Sequence, residues 1–340
     1  MLGTLQALRA FAAISVVVYH SGYLVFGVHT DLGGVTLFFV ISGFISCHIP
    51  EKDQNRNAAR FLLRRIKRIL PLYWLATFVL LACTGSLFTL PWQHIVLSLL
   101  FIPHDGKYGA FPVLGVGWTL NIEMACYVLF ATAMWLLPKA APLLAAAAIL
   151  SARWLVTSTF PEASSATHHA SSLYAEAFVA GILVWLIWSR CSDRIKNWRL
   201  PKWLFPLTIT SYAIIMIVWS NAAQEWPDLY FRASVIAMTV ILTIVSVVSA
   251  SAGADVQHPW IMTLGGASYA LYLVHTIVQS IGHRNGLVVD GPFVAALYVC
   301  VCVGLSLAIY RWIEPVLARL VAANPQAAGV VKPEAKGQTG

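Results

Sequence analysis

Two residues in the first apolar stretch, LQALRAFAAISVVVYHSGYLVF, carry side chains able to do chemistry: Arg9 and His20. They are eleven positions apart, and at about 100° per residue that is three turns and a small remainder, so both leave one helix face about 16 Å apart. A charge inside such a stretch is costly and defaults to function. Taken singly, each residue also has a plainer reading: Arg9 as a snorkelling anchor and His20 as a hydrogen-bonded interior histidine. Two more ionisable groups lie in apolar segments, Glu123 and His275. A buried carboxylate must find a partner or a proton. Paired with an imidazole it fixes the tautomer and prepares a general base for a hydroxyl group, although the same pair would also serve to lock two helices together.

A different chemistry is written in FLLRRIKRILPLYWL, where Arg65 and Arg68 stand one helical turn apart on one face. Guanidinium groups bind phosphate oxygens bidentately, so this cluster suits a polyphosphorylated ligand. Basic residues beside a span are also ordinary cytoplasmic anchors, a reading that fits Arg64, Arg65 and Lys67 taken alone. Pro71 is placed for a break or kink where the loop helix enters the membrane.

The elements that must position these groups follow from composition. The chain has 340 residues, of which 59% are hydrophobic and 11% charged, with a mean hydropathy of +0.74. Soluble domains carry about 25% charged residues, so the fold class is an all-α, polytopic transmembrane bundle. The net charge of +8 is gathered at the ends of apolar spans, the pattern of cytoplasmic loops rather than of a nucleic-acid groove. About ten spans are expected, over 5–26, 32–49, 69–90, 116–137, 141–157, 173–188, 204–220, 231–250, 260–281 and 293–321. The apolar piece 94–102 is too short to cross and is expected to be interfacial or re-entrant.

The basic loops 51–68 and 189–203 both follow even-numbered spans, while the connections 29–33, 158–171 and 221–230 hold no lysine or arginine. Both termini are therefore expected on the cytoplasmic side, with the first span a retained anchor. Residues 1–321 read as one membrane domain, and 322–340 as a disordered tail. With this orientation His20, Glu123 and His275 are expected to share an outer layer of the membrane, and Arg9, Arg65 and Arg68 an inner one. The layers suggest a long, thin, phosphorylated donor held from the cytoplasm with its reactive end toward His20, and an acceptor arriving from outside.

The six cysteines show no C-x-x-C pair, and His168 and His169 beside Glu162 lack ligand spacing, so no metal is expected. Trp92, His94, Tyr108 and Trp118 flank an outer loop long enough to contact a sugar ring.

Five stretches, in order, resemble the integral-membrane acyltransferase family three: LQALRAFAAISVVVYH, GGVTLFFVISGF, RRIKRILPLYW, GWTLNIEMACY and LGGASYALYLVH. The resemblance covers almost the whole length. It implies transfer of an acyl group, most often acetyl from cytoplasmic acetyl-CoA, to a hydroxyl of an exported or cell-envelope glycan, and the opening LQALRA looks like the exopolysaccharide-acetylating branch. By resemblance His20 is the catalytic base, Glu123 an orienting or catalytic partner, and Arg9, Arg65 and Arg68 contacts to the donor phosphates. His275 is a second acid/base or a structural donor. Ser42 and Gly43 read first as small residues at a close helix contact, with Ser42 as an acyl-carrying nucleophile as the other reading. The sequence departs from the family pattern at Cys126, where an aromatic is usual, and at Glu314, followed directly by Pro315, for which no role is expected.

Implied partners are acyl-CoA, a glycan or lipid-linked saccharide acceptor, membrane lipids and polysaccharide assembly proteins, in the bacterial inner (cytoplasmic) membrane. Two rival readings use the same polar residues: a transporter or flippase for a glycan or lipid-linked precursor, and a non-catalytic scaffold for a polysaccharide synthase.

Overall fold

The computed structural model describes residues 2–21, 32–52, 57–105, 111–162, 164–222, 227–287 and 291–322. Tyr108 and the expected tail beyond residue 322 lie outside them. Among the described residues every regular element is helical. In chain order they are α1 (Gly3–His20), α2 (Gly34–Lys52), α3 (Ala58–Thr84), α4 (Trp92–Leu99), α5 (Gly117–Leu136), α6 (Ala141–Thr159) and α7 (Ser165–Ala170), then α8 (Tyr174–Ile195), α9 (Leu204–Ala222), α10 (Asp228–Ser251), α11 (Pro259–Arg284), α12 (Pro292–Ala308) and α13 (Glu314–Ala322). A π turn over Ile309–Ile313 joins the last two.

Seven helical stretches among the described residues are long and apolar enough to cross a membrane, and two shorter apolar helices, Gly34–Ile49 and Leu204–Ser220, lie beside them. Large apolar side chains such as Phe78, Trp135, Trp154 and Ile187 cover the outside of the bundle, as a lipid-facing surface requires. The protein is a membrane protein.

α1 is held in the interior. Leu5, Leu8, Ala12, Ala13, Val16 and Val17 are buried along it, and it packs along both α11 and α2. Its first turn is capped from elsewhere: the Gly3 and Thr4 amides donate to Asp255 at 3.0 and 2.9 Å. This satisfies two of the donors that a helix start leaves open.

Two further contacts set the geometry of the site. α2 and α8 cross with backbones in contact, since a Cβ at Gly43 would stand 2.0 Å from the Phe178 carbonyl oxygen and one at Gly181 2.0 Å from that of Val40. Small residues permit that approach. The close contact expected of Ser42 and Gly43 thus belongs to Gly43, leaving Ser42 free to face elsewhere.

α3 starts earlier than the expected third span. Asn57 caps it by accepting from the Arg60 amide at 2.9 Å, and the helix runs through Pro71 without a break to a left-handed Gly85 at φ 67°. The expected loop helix and span are one element, so Arg65 and Arg68 sit within a continuous helix. The piece expected to be interfacial forms α4, eight residues long.

Candidate active site

Five helices surround a narrow pocket of about 80 Å3. α1 contributes Arg9, α2 Ser42, α3 Arg65 and Arg68, α5 Glu123 and Tyr127, and α11 Tyr269 and Tyr272. Each pair from one helix is spaced three or four residues apart, the separation that aims both side chains at one side.

Glu123 organises the polar contacts. Its Oε1 accepts from Ser42 Oγ at 2.7 Å and from the Tyr127 hydroxyl at 2.6 Å. The Arg65 guanidinium lies 4.8 Å from the centre of the Tyr127 ring and 5.4 Å from that of Phe61, cation–π contacts that hold its charge without neutralising it. Arg65 is buried, and its Nη2 has no hydrogen-bond partner. Arg9 is buried too, and donates to Ser268 Oγ at 3.0 Å and Gln6 Oε1 at 3.4 Å, both neutral groups. Arg68 lines the pocket from an exposed position.

Among the described residues the ion pairs within 4 Å are Arg153 with Glu176 and Lys196 with Asp193. The three pocket arginines take part in neither. Like charges so close and unpaired favour an anion from outside the chain.

Glu314, for which no role was expected, follows the π turn, is half-buried and comes within electrostatic reach of Arg68 and Arg9. Its Oε1 has no hydrogen-bond partner. Single-turn π bulges occur often at functional sites.

The two histidines form a second group above the pocket. The His20 and His275 rings lie 5.0 Å apart between centroids with 37° between their planes. His275 is fully buried; its Nδ1 is 3.3 Å from the Leu271 carbonyl oxygen, and its Nε2 has no partner. If Nδ1 donates to that carbonyl, Nε2 carries the lone pair. Backbone carbonyls at both histidines are themselves held: Gln279 Nε2 donates to that of His20 at 2.9 Å and the Tyr298 hydroxyl to that of His275 at 3.0 Å.

α1 and α11 therefore meet at two levels. Arg9 meets Ser268 at one level and His20 meets His275 at another. Tyr272 is the common wall: it lines the pocket, its hydroxyl is 2.7 Å from Thr119 Oγ1, and its ring lies 5.8 Å from that of His275.

One expected grouping is divided. Glu123 is not hydrogen-bonded to either histidine; it joins the arginines and the hydroxyls of Ser42 and Tyr127. Direction explains this: the Glu123 carboxylate turns toward Ser42 and Tyr127, six residues into α5, whereas His20 is the last residue of α1 and faces His275. Tyr127 was the signal for the pocket, since it follows Glu123 by four residues on one helix face.

The outer loop residues turn inward. His169 Nδ1 lies 2.6 Å from the Ser165 carbonyl oxygen, and His168 packs on Phe111 and Trp118. Glu162 is exposed and apart from them. His94 is buried with its Nδ1 2.7 Å from His104 Nε2; burial and the His104 charge lower its pKa. Trp92 stays exposed, and Trp118 packs on Tyr174.

A helical membrane protein with a cationic pocket beside an imidazole pair is equipped to bind an anionic reactant and to move a proton within the bilayer. A family model described as an acyltransferase domain matches residues 2–311, and the chain belongs to that family, acyltransferase family three. It is an acyltransferase, which sets the transport and scaffold readings aside.

The exopolysaccharide production protein ExoZ of Rhizobium meliloti (strain 1021) is 30% identical over 320 residues, covering 89% of this chain and 95% of that protein. Nodulation protein 10 of Rhizobium leguminosarum bv. viciae is 28% identical over 80% of this chain and 81% of its own. The peptidoglycan O-acetyltransferase OatA of Listeria monocytogenes serovar 1/2a is 21% identical over 80% of this chain and 48% of its own. No solved structure matches.

Proposed function

We propose that this enzyme transfers an acetyl group from cytoplasmic acetyl-CoA to a hydroxyl of an exported or cell-envelope glycan such as an exopolysaccharide, from the bacterial inner membrane with both termini in the cytoplasm. The observation that carries the reading is the set of three unpaired guanidinium groups, Arg9, Arg65 and Arg68, in a pocket that shares Tyr272 with the His20–His275 pair. The likeness to ExoZ over nearly the full length of both chains supports the glycan class.

In this reading the arginines receive donor phosphates, and the residues fit that ligand because three guanidinium groups share the pocket with one carboxylate, Glu123, and none of them is in a direct ion pair with another described residue. Some 16 Å of α1 separates Arg9 from His20, which asks for a donor with an extended arm between phosphate and thioester, as coenzyme A has. His20 takes the proton of the acceptor hydroxyl, and the oxygen forms a bond to the acyl carbon. The carbon–sulfur bond then breaks, and the imidazolium returns the proton to the departing thiolate. His275, its ring 5.0 Å from that of His20, positions His20. Glu123 fixes the hydroxyls of Ser42 and Tyr127 and sets the charge balance of the arginines, a positioning rather than a catalytic role.

The 2.7 Å bond from Ser42 to Glu123 favours one second reading, in which Ser42 carries the acyl group with Glu123 as its base. Mass analysis of the cell's glycans separates these outcomes. A stably inserted His20→Ala protein is expected to leave the polymer unacetylated while Ser42→Ala retains transfer; full acetylation by His20→Ala overturns the assignment, and loss with Ser42→Ala alone selects the second reading.

A further inference from the structure

α5 has a second working face. Opposite Glu123 and Tyr127, it borders a cavity of about 540 Å3 between α5, α6 and α7, inside the roughly 300–1,000 Å3 range of small-molecule sites. Ile122, Cys126, Leu129, Ile149 and Val156 give it an apolar lining. Val128 on its border is 48% exposed, so the cavity opens sideways on the outer surface of the bundle.

Its buried polar atoms are few and all but one are answered. Arg153 Nε is 2.6 Å from Glu176 Oε1 and donates to the Ala170 carbonyl oxygen at 3.0 Å, so the cation of the lining is neutralised. His169 holds the Ser165 carbonyl on one nitrogen and lies 3.3 Å from Asn121 Nδ2 on the other. What remains is Asn121 Oδ1, on a side chain 5% exposed, with no hydrogen-bond partner. A carbonyl oxygen only accepts, so the missing group is an O–H or N–H donor.

We infer that this cavity binds a neutral glycolipid, with a sugar hydroxyl donating to Asn121 Oδ1 and the hydrocarbon chain lying along α5. Asn121 is four residues from the start of α5, about 6 Å from its outer end, and the apolar lining continues to Leu129, about 12 Å deeper. A head group at the interface and a chain below it fit that order. A phosphocholine head does not: it carries neither an O–H nor an N–H to donate, and the cation of the lining is already paired with Glu176. The binding site stands on the cavity itself; only its use as the station for a lipid-carried acceptor rests on the proposed acyl transfer.

The test is titration of the full chain in phosphatidylcholine nanodiscs with decyl glucoside and, separately, decylphosphocholine. Saturable binding of the glucoside, about tenfold tighter than of the phosphocholine, is expected. Asn121→Leu should erase that preference, and Ala125→Trp or the smaller plug Ala152→Phe should abolish binding while acetyl-CoA hydrolysis stays at the wild-type rate. Equal affinity for the two head groups, or binding that survives both plugs, overturns the site. Absence of acetyl-CoA turnover in every protein, with glucoside binding intact, would instead overturn the proposed reaction and leave the site standing.

Discussion

The arginine pocket and the histidine pair solve opposite problems in one bundle. In the pocket, charge is gathered and left unpaired: Arg65 Nη2 lacks a partner and Arg9 donates only to neutral oxygens. At the histidines no charged partner is gathered: His275 is fully buried against a backbone carbonyl and shares its space with the rings of His20 and Tyr272. Unanswered charge suits binding, because the ligand supplies what is missing. A half-buried imidazole packed on a fully buried one suits proton transfer, because one ring can meet a reactant while the other holds it in place. In the proposed reaction the two regions divide affinity from chemistry, with α1 and α11 running through both and α3 adding Arg65 and Arg68 to the first.

That division can be broken by kinetics. The largest effect is expected for His20→Ala, a fall in kcat of about a thousandfold with the donor KM nearly unchanged, measured by acetyl transfer with purified protein. A matching rise in KM would show that the regions are not separate. Arg65→Ala and Arg68→Ala should do the reverse, raising the donor KM about 10- to 100-fold with kcat within a few-fold, since charge-assisted hydrogen bonds are the stronger kind.

Glu123→Gln keeps the shape and the acceptor oxygen for Ser42 and Tyr127 but removes the charge. A loss of about tenfold in kcat/KM is expected, and unchanged activity would reduce the carboxylate to a spacer. The smallest change should come from Tyr272→Phe, which keeps the ring against His275 and deletes only the contact to Thr119. Less than about threefold in either constant is expected; a larger drop would mean that the shared wall takes part in the reaction.

Much of this arrangement was legible in the sequence. Arg9 and His20 share a face because helical periodicity fixes angle as well as rise, and His275 met His20 because each lies far along a helix starting on the same side. Glu123 was expected beside a histidine because a residue count gives depth without direction, and its side chain turns toward Ser42 and Tyr127. The reach of α3 was missed for another reason. Counting the span from the end of the basic run hid a helix whose start is marked by Asn57, a capping residue ahead of AARFLL. Glu314 could not be connected to the arginines from sequence, because its orientation depends on a π turn that hydropathy does not register.

That turn has a consequence of phase. A π bulge holds one residue more than the α-helical path it replaces, so every side chain beyond Ile309–Ile313 is rotated by about 100° relative to an unbroken helix. Deleting a single residue there would barely alter the length or hydropathy of the last span, yet it would swing Glu314 a quarter-turn out of the field of Arg9 and Arg68. A one-residue insertion can thus bring a carboxylate into an existing cationic site without changing any residue already in it, and a one-residue loss can remove it.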